Sequence, residues 1–284
     1  MKRLSAIVFS ALFASVVAVG TAFATPSTTY WTPSTTDVQP FGIWHFGVDN
    51  YFRLSRTQEE QANGQFDSFP TDVGVTVGVL PFQKLQLEVG IDGLFQGTRA
   101  HPALRSIGNS LLFNAKFGIP EGALAGWSPA LNVGIFNVGT KEQVTDMNIV
   151  DFLIGKTLGP FGRVHGGYYI GNAGSALMRE SGCIQNHATL GCVNGGGAGS
   201  LKNDGFMVGY DFGFWKVKDK ENNEYNKWMF AADYASGKNF IGGGGFGIYH
   251  FFNKDISLLT GPVWFNDHVI NGQWKWTVQL DINY

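Results

Sequence analysis

The chain ends on WKWTVQLDINY, residues 274–284. Every even position of this stretch is apolar: Trp274, Trp276, Val278, Leu280, Ile282 and Tyr284. Every odd position is polar: Lys275, Thr277, Gln279, Asp281 and Asn283. Side chains of a β-strand alternate between two faces with a period of two, so this segment has one oily face and one wet one.

The same pattern recurs upstream. Val73, Val75, Val77 and Val79 interleave with Asp72, Gly74, Thr76 and Gly78, and Leu85, Leu87, Val89 and Ile91 with Lys84, Gln86, Glu88, Gly90 and Asp92. Phe206, Val208, Tyr210, Phe212 and Phe214 repeat it once more. The alternation predicts twelve strands, at about 41–54, 70–80, 83–96, 107–118, 129–138, 147–157, 162–172, 204–217, 226–236, 240–252, 255–266 and 274–284. Two are weaker: 240–252 carries the Gly242–Gly245 run, read as a bend, and 255–266 contains Pro262, which cannot donate to a ladder. Most of these spans match the ~9–11 residues that cross a bilayer on a tilt.

Two-faced strands suit a soluble sandwich as well as a spanning barrel, and the connections separate the two. Every second gap is mostly short, as in Leu80-Pro81-Phe82, Leu158-Gly159-Pro160-Phe161 and Phe252-Asn253-Lys254-Asp255. Several of the others are long and polar: 55–69, 97–106, 139–146 and above all 173–203. A barrel with tight turns at one end and loops at the other alternates in this way. A sandwich has no reason to, because solvent bathes both its ends alike.

The start of the chain fits export. Lys2 and Arg3, the apolar run Leu4–Val19 and the small-x-small site Ala22-Phe23-Ala24 predict a signal peptide over 1–24. Its removal leaves 18 basic against 22 acidic residues, a formal charge near −4. That gives no footprint for nucleic acid. No later stretch has the ~18 apolar residues of a spanning helix. Cys183 and Cys192 suit one disulfide in an oxidising compartment. Both lie in 173–203 with His187, and C-x8-C is no zinc spacing, so neither a metal nor a cofactor is expected. The segment 25–39 repeats TPSTT at 25–29 and 32–36 and reads as an extended or disordered lead-in to a barrel of residues 40–284.

A signal sequence, two-faced strands of about ten residues and a last strand ending in an aromatic resemble a bacterial outer-membrane β-barrel of the porin type. The resemblance implies an all-β, antiparallel up-and-down barrel embedded among outer-membrane lipids. It also implies that Trp274, Trp276, Val278, Leu280, Ile282 and Tyr284 form the signal read by the barrel-assembly machinery. Phe is the commonest last residue of that class, so Tyr284 is a variant. Trp44, Trp127, Trp215, Trp228, Trp274 and Trp276 fall near strand ends, as an interfacial belt would place them.

The inner face expected from the alternation carries Asp49, Asp72, Glu88, Asp92, Asp151, Asp211, Asp233 and Asp281. Against them stand Arg53, Lys84, Lys116, Arg163, Lys227 and Lys275, with His45 and His165. Such a face requires a wet or densely paired interior. Twelve tilted strands enclose a cylinder roughly 25 Å across, and inward Gly74, Gly78, Gly90, Gly134, Gly155, Gly167, Gly209 and Gly213 would keep it from filling. The expected function is passive diffusion of small solutes or ions through a narrow monomeric channel of weak cation preference. Its lining residues would be Asp49, Arg53, Lys84, Glu88, Asp92, Lys116, Arg163, His165, Asp211 and Asp233, with Arg53, Lys84, Arg163 and Asp49 at the constriction.

Three other readings stand beside it. A non-conducting barrel that presents loops or houses a partner would have a plugged lumen, and inward Leu94, Leu112, Leu153 and Trp215 leave that open. An outer-membrane hydrolase would need a serine and histidine in reach; the chain has no H-x-S or S-x-H, and only Asp267-His268 approaches an acid–His arrangement. A soluble sandwich leaves the loop-length alternation unexplained.

Overall fold

The computed structural model describes residues 28–53, 71–95, 110–180, 185–186, 191–194, 197–199, 203–272 and 274–284. The expected signal peptide and Cys183 lie outside them, as does the side chain of Cys192, so the expected disulfide falls outside the described structure.

Strands β1 (Trp44–Phe52), β2 (Thr71–Gly78), β3 (Gln86–Phe95), β4 (Ser110–Ile119), β5 (Ala130–Gly139), β6 (Asp146–Thr157) and β7 (Arg163–Ile170) run up and down in chain order. Short strands β8 (Gln185–Asn186), β9 (Gly191–Asn194) and β10 (Gly197–Gly199) form a separate three-stranded sheet within 173–203. The wall resumes with β11 (Asp204–Lys218), β12 (Glu224–Ala235), β13 (Gly243–Phe251), β14 (Ile256–Phe265) and β15 (Trp274–Asn283). Each wall strand pairs antiparallel with its neighbours, and β15 pairs with β1 from His45↔Asn283 to Phe52↔Trp276. Twelve strands therefore close into a barrel with no free edge. The expected strand count and architecture hold.

The closing strand answers the pattern with which it began. Lys275, Thr277, Gln279, Asp281 and Asn283 are buried inside, and the even positions face out. Elsewhere the outer wall exposes Val133, Phe152, Ile154, Phe206 and Phe246. Apolar groups outside and polar groups inside reverse the soluble rule, as a lipid-facing wall requires. Trp44, Trp127 and Trp215 stand exposed toward the end that carries the short turns. Trp215 was expected inside; its backbone instead takes a left-handed φ of +60°, and its ring stands 70% exposed.

The lumen is occupied. Residues 28–40 thread down its interior, and the chain then reverses at Gly42, whose φ of +75° suits glycine, to enter β1. The expected lead-in is extended, but it lies within the barrel with Tyr30, Thr32, Ser34, Thr35 and Gln39 buried. The connecting residues 171–180 and 236–242, with the helical turn His268–Asn271, bring Leu177, Met178, Phe240, Ile241 and Ile270 onto inner-wall Met147, Ile149, Leu153, Tyr169 and Met207. These side chains form an apolar cap at the loop end.

Candidate functional site: the threaded lumen

Pro33 and Pro40 lack an N–H, so the threaded segment cannot join a continuous ladder. Its backbone groups are met by wall side chains instead. Asp233, inward on β12 and buried, holds the loop-end half. Its Oδ2 accepts the backbone N–H groups of Tyr30 (2.9 Å), Trp31 (2.8 Å) and Thr32 (2.7 Å) and the Thr32 hydroxyl (3.0 Å). Gln279 Nε2 donates to the Tyr30 carbonyl at 3.0 Å, and the Tyr249 hydroxyl to that of Thr29 at 3.1 Å. The Tyr30 hydroxyl donates to the Pro262 carbonyl at 3.1 Å. Trp31 lies edge-on against Tyr51 and Phe265, with centroids 5.1 and 5.0 Å away, and its Nε1 donates to the Ile241 carbonyl at 3.0 Å.

A charged network holds the lower half. Arg163 on β7 makes a two-pronged contact with Asp37, Nη1–Oδ1 at 2.6 Å and Nη2–Oδ2 at 2.7 Å. Its Nε reaches both oxygens of Asp211 at 3.0 and 3.1 Å. His165 Nδ1 accepts the Thr36 N–H at 3.2 Å, which leaves Nε2–H to donate to Asp211 Oδ2 at 3.0 Å. Asn132 donates to the Thr35 carbonyl at 3.0 Å and Lys116 to that of Asp37 at 3.1 Å. Glu88 accepts the Gln39 N–H at 2.7 Å and lies 3.6 Å from Lys116.

Inward glycines make this approach possible. A Cβ at Gly209 would lie 2.5 Å from Ser34 Oγ and 2.8 Å from Thr29 Oγ1. Gly155 faces Thr36, Gly78 faces Pro40, and Gly245 and Gly247 flank the Tyr30 ring. These glycines leave room for the chain's own segment, where the sequence suggested an empty bore.

Two spaces remain. One of about 170 Å³ lies between the segment and the wall of β1 to β6, lined among others by Trp31, Tyr51, Asp49, Asp72, Asp92 and Asp151. The other, about 450 Å³, opens beside Thr36–Pro40 at the turn end, with Glu121, Lys156 and Arg163 in its lining. Glu121 stands in the 120–129 turn. Partial burial alone would raise its carboxyl, but hydrogen bonds from Lys156 and Thr157 hold it below the usual carboxylate range.

Of the residues expected to line a pore, Asp49, Glu88, Asp92, Lys116, Arg163, His165, Asp211 and Asp233 stand on the inner wall. Arg53 directly follows β1, in register with inward Asp49 and Tyr51. Lys84 does not: β3 starts only at Gln86, so the alternation cannot carry back to Lys84, which is exposed in the short turn. Leu94, Leu112 and Leu153 are buried inside as expected. Sequence reading missed Tyr30, Trp31, Asp37 and Gln39 as luminal residues, and Asn132 and Gln279 as their partners. The only signal for them was a Tyr-Trp pair set between two TPSTT repeats, next to a wall rich in inward glycine. Among the described residues, no three His, Cys, Asp or Glu side chains group as metal ligands.

The closed wall, oily outside and polar inside, defines the class: a membrane-spanning β-barrel of the outer-membrane type. No family model matches the chain, and no curated protein matches it. Among solved structures it is similar to an outer membrane channel from Pseudomonas putida F1, at 10% identity over 89% of this chain and 99% of that one, TM-score 0.43. It is also similar to a triple mutant of the Rhodopseudomonas blastica porin, at 8% identity over 85% of this chain and 98% of that one, TM-score 0.34. Likeness this distant assigns no activity.

Proposed function

We propose that the protein is an outer-membrane channel for small solutes or ions whose lumen is closed, in this conformation, by its own residues 28–40. One observation carries the reading: the segment meets the wall largely through polar contacts at Asp233, Arg163, Asn132, Lys116 and Glu88. Water and solute can replace polar contacts of this kind at small net cost, because each protein hydrogen bond contributes only ~0.5–1.5 kcal/mol beyond its hydrated alternative. A wall designed only to be filled would be cheaper to build from apolar side chains. On this reading Asp49, Arg53, Glu88, Asp92, Lys116, Arg163, His165, Asp211 and Asp233 line the path once the segment leaves. Residues 1–24 would direct export, the final strand would present the assembly signal, and Cys183–Cys192 would staple the longest loop.

The test is single-channel recording in planar bilayers, comparing the full chain with a variant lacking residues 28–40. The full chain should show low or rare conductance and the deletion a larger, steady one. The second reading, a non-conducting barrel, is favoured by the apolar cap of Leu177, Met178, Phe240 and Ile241. It predicts silence from both proteins. The reading assigns no catalytic residue; a lipase or protease assay on the purified protein checks that.

A further inference from the structure

The 170 Å³ luminal cavity carries an unusual charge balance. Its lining includes Asp49, Asp72, Glu88, Asp92, Asp151 and Asp281 against one lysine, Lys116, and one histidine, His45. Lys116 is already engaged by Glu88 at 3.6 Å and by the Asp37 carbonyl, and His45 by Asp281 at 3.5 Å. Asp49 and Asp72 are directly opposite each other across β1 and β2, the arrangement in which like charges destabilise a sheet. Gly47 and Gly74 form the next cross-strand pair on the inner face, and Asp92 leans over Gly74. Asp281, Asp49, Asp72 and Asp92, from the four neighbouring strands β15, β1, β2 and β3, thus face one space.

A second observation is independent of this crowding. Asp151 comes from β6 on the far side of Lys116 and is only 2% exposed. Its Oδ1 accepts the Gly134 N–H at 2.9 Å, while its Oδ2 has no partner and the residue lines the same cavity. Asp72 Oδ1 is likewise buried without a partner. Acceptors left bare in a polar cavity call for a donor.

We propose that this cavity binds a small organic cation bearing primary ammonium groups. An ammonium would supply three donors and a positive charge to Asp151 Oδ2 and Asp72 Oδ1, which have no partner, and to the crowded acids beside them. A bare metal ion fits less well: the acids do not group in a metal-ligating arrangement among the described residues. Trp31, Tyr51 and Phe240 also line the space, and aromatic faces accept the alkyl chain and the charge of an organic ammonium. The inference deepens the channel reading by naming its solute class, and Trp31 places the site against the segment proposed to move.

Equilibrium binding to the detergent-solubilised full chain tests it without requiring conduction. Isothermal titration with 1,4-diaminobutane should show saturable binding at near one per chain, whereas 1,4-butanediol, equal in length but uncharged, should show none. Asp49→Asn with Asp72→Asn should weaken the diamine at least tenfold, and Asp151→Asn should weaken it separately. Asp49→Asn and Asp72→Asn relieve like-charge repulsion, and Asp151→Asn keeps an acceptor oxygen for the Gly134 N–H, so the barrel is expected to fold. Butanediol binding as well as the diamine, the double variant binding unchanged, or magnesium or sodium competing at equal charge concentration would each overturn the site. Diamine binding by a protein that never conducts would leave the site standing and reject the channel; conduction without diamine binding would do the reverse.

Discussion

Asp233→Ala should release the threaded segment. In the native barrel one carboxylate oxygen accepts three backbone N–H groups and a hydroxyl, all within 2.7–3.0 Å. Alanine leaves those donors facing a buried wall. An unsatisfied buried donor costs ~1–3 kcal/mol, and because the four share one acceptor their losses do not simply add, so about 3–6 kcal/mol in total is expected. At 1.4 kcal/mol per tenfold, that shifts the docked-to-released ratio by about 10² to 10⁴. Hydrogen–deuterium exchange of the solubilised protein reads this directly, since protection of residues 28–40 reports how often they undock. Protection should fall at least about a hundredfold there while the β14–β15 ladder keeps its own. Asp233→Asn retains an acceptor oxygen but loses the charge, and should fall between. Unchanged exchange of 28–40 in the alanine variant would refute the claim that this clamp holds the segment.

Four further outcomes follow from the same contacts. Arg163→Ala strips Asp37 and Asp211 of a shared partner and should destabilise docking by about 3–5 kcal/mol, with lysine a poor substitute because it lacks the two-pronged fork; open probability in bilayers reads the effect. Gly209→Val drives a side chain into Ser34 and Thr29 and should expose the segment to exchange, whereas Gly126→Ala, with open space around it, should leave exchange unchanged. Trp31→Ala removes the ring packed on Tyr51 and Phe265 and should cost about 3–5 kcal/mol of docking, measurable as increased conductance. Glu121→Gln should matter little, under about 1 kcal/mol, because its pair with Lys156 is surface-exposed. Its carboxyl is lowered in the folded protein, so the small contribution is present above the ordinary carboxylate pKa and fades as pH falls through the depressed value. Thermal unfolding of wild type and Glu121→Gln between pH 6 and pH 3 should therefore converge, the range being set by the ordinary Glu pKa of about 4.3.

The alternation of WKWTVQLDINY and its relatives carried the barrel, because strand periodicity is local and a lipid-facing wall repeats it on every strand. It also placed Asp211, Asp233 and Arg163 inside, since parity needs no knowledge of neighbours. It failed at Lys84 and Trp215: Lys84 lies in a turn before β3 begins, and a positive φ interrupts the extended backbone at Trp215, so strand periodicity applies at neither. The fate of residues 28–40 was beyond its reach. Nothing local distinguishes a Thr- and Pro-rich tail that stays in solvent from one that enters a lumen. The partners of this one, Asp233, Arg163, Gln279 and Tyr249, lie more than a hundred positions away in the chain. Only closure of β15 onto β1 brings them around a single axis. Local alternation settles which faces meet oil and which meet water; only closure of the wall sets the water-side face against residues 28–40.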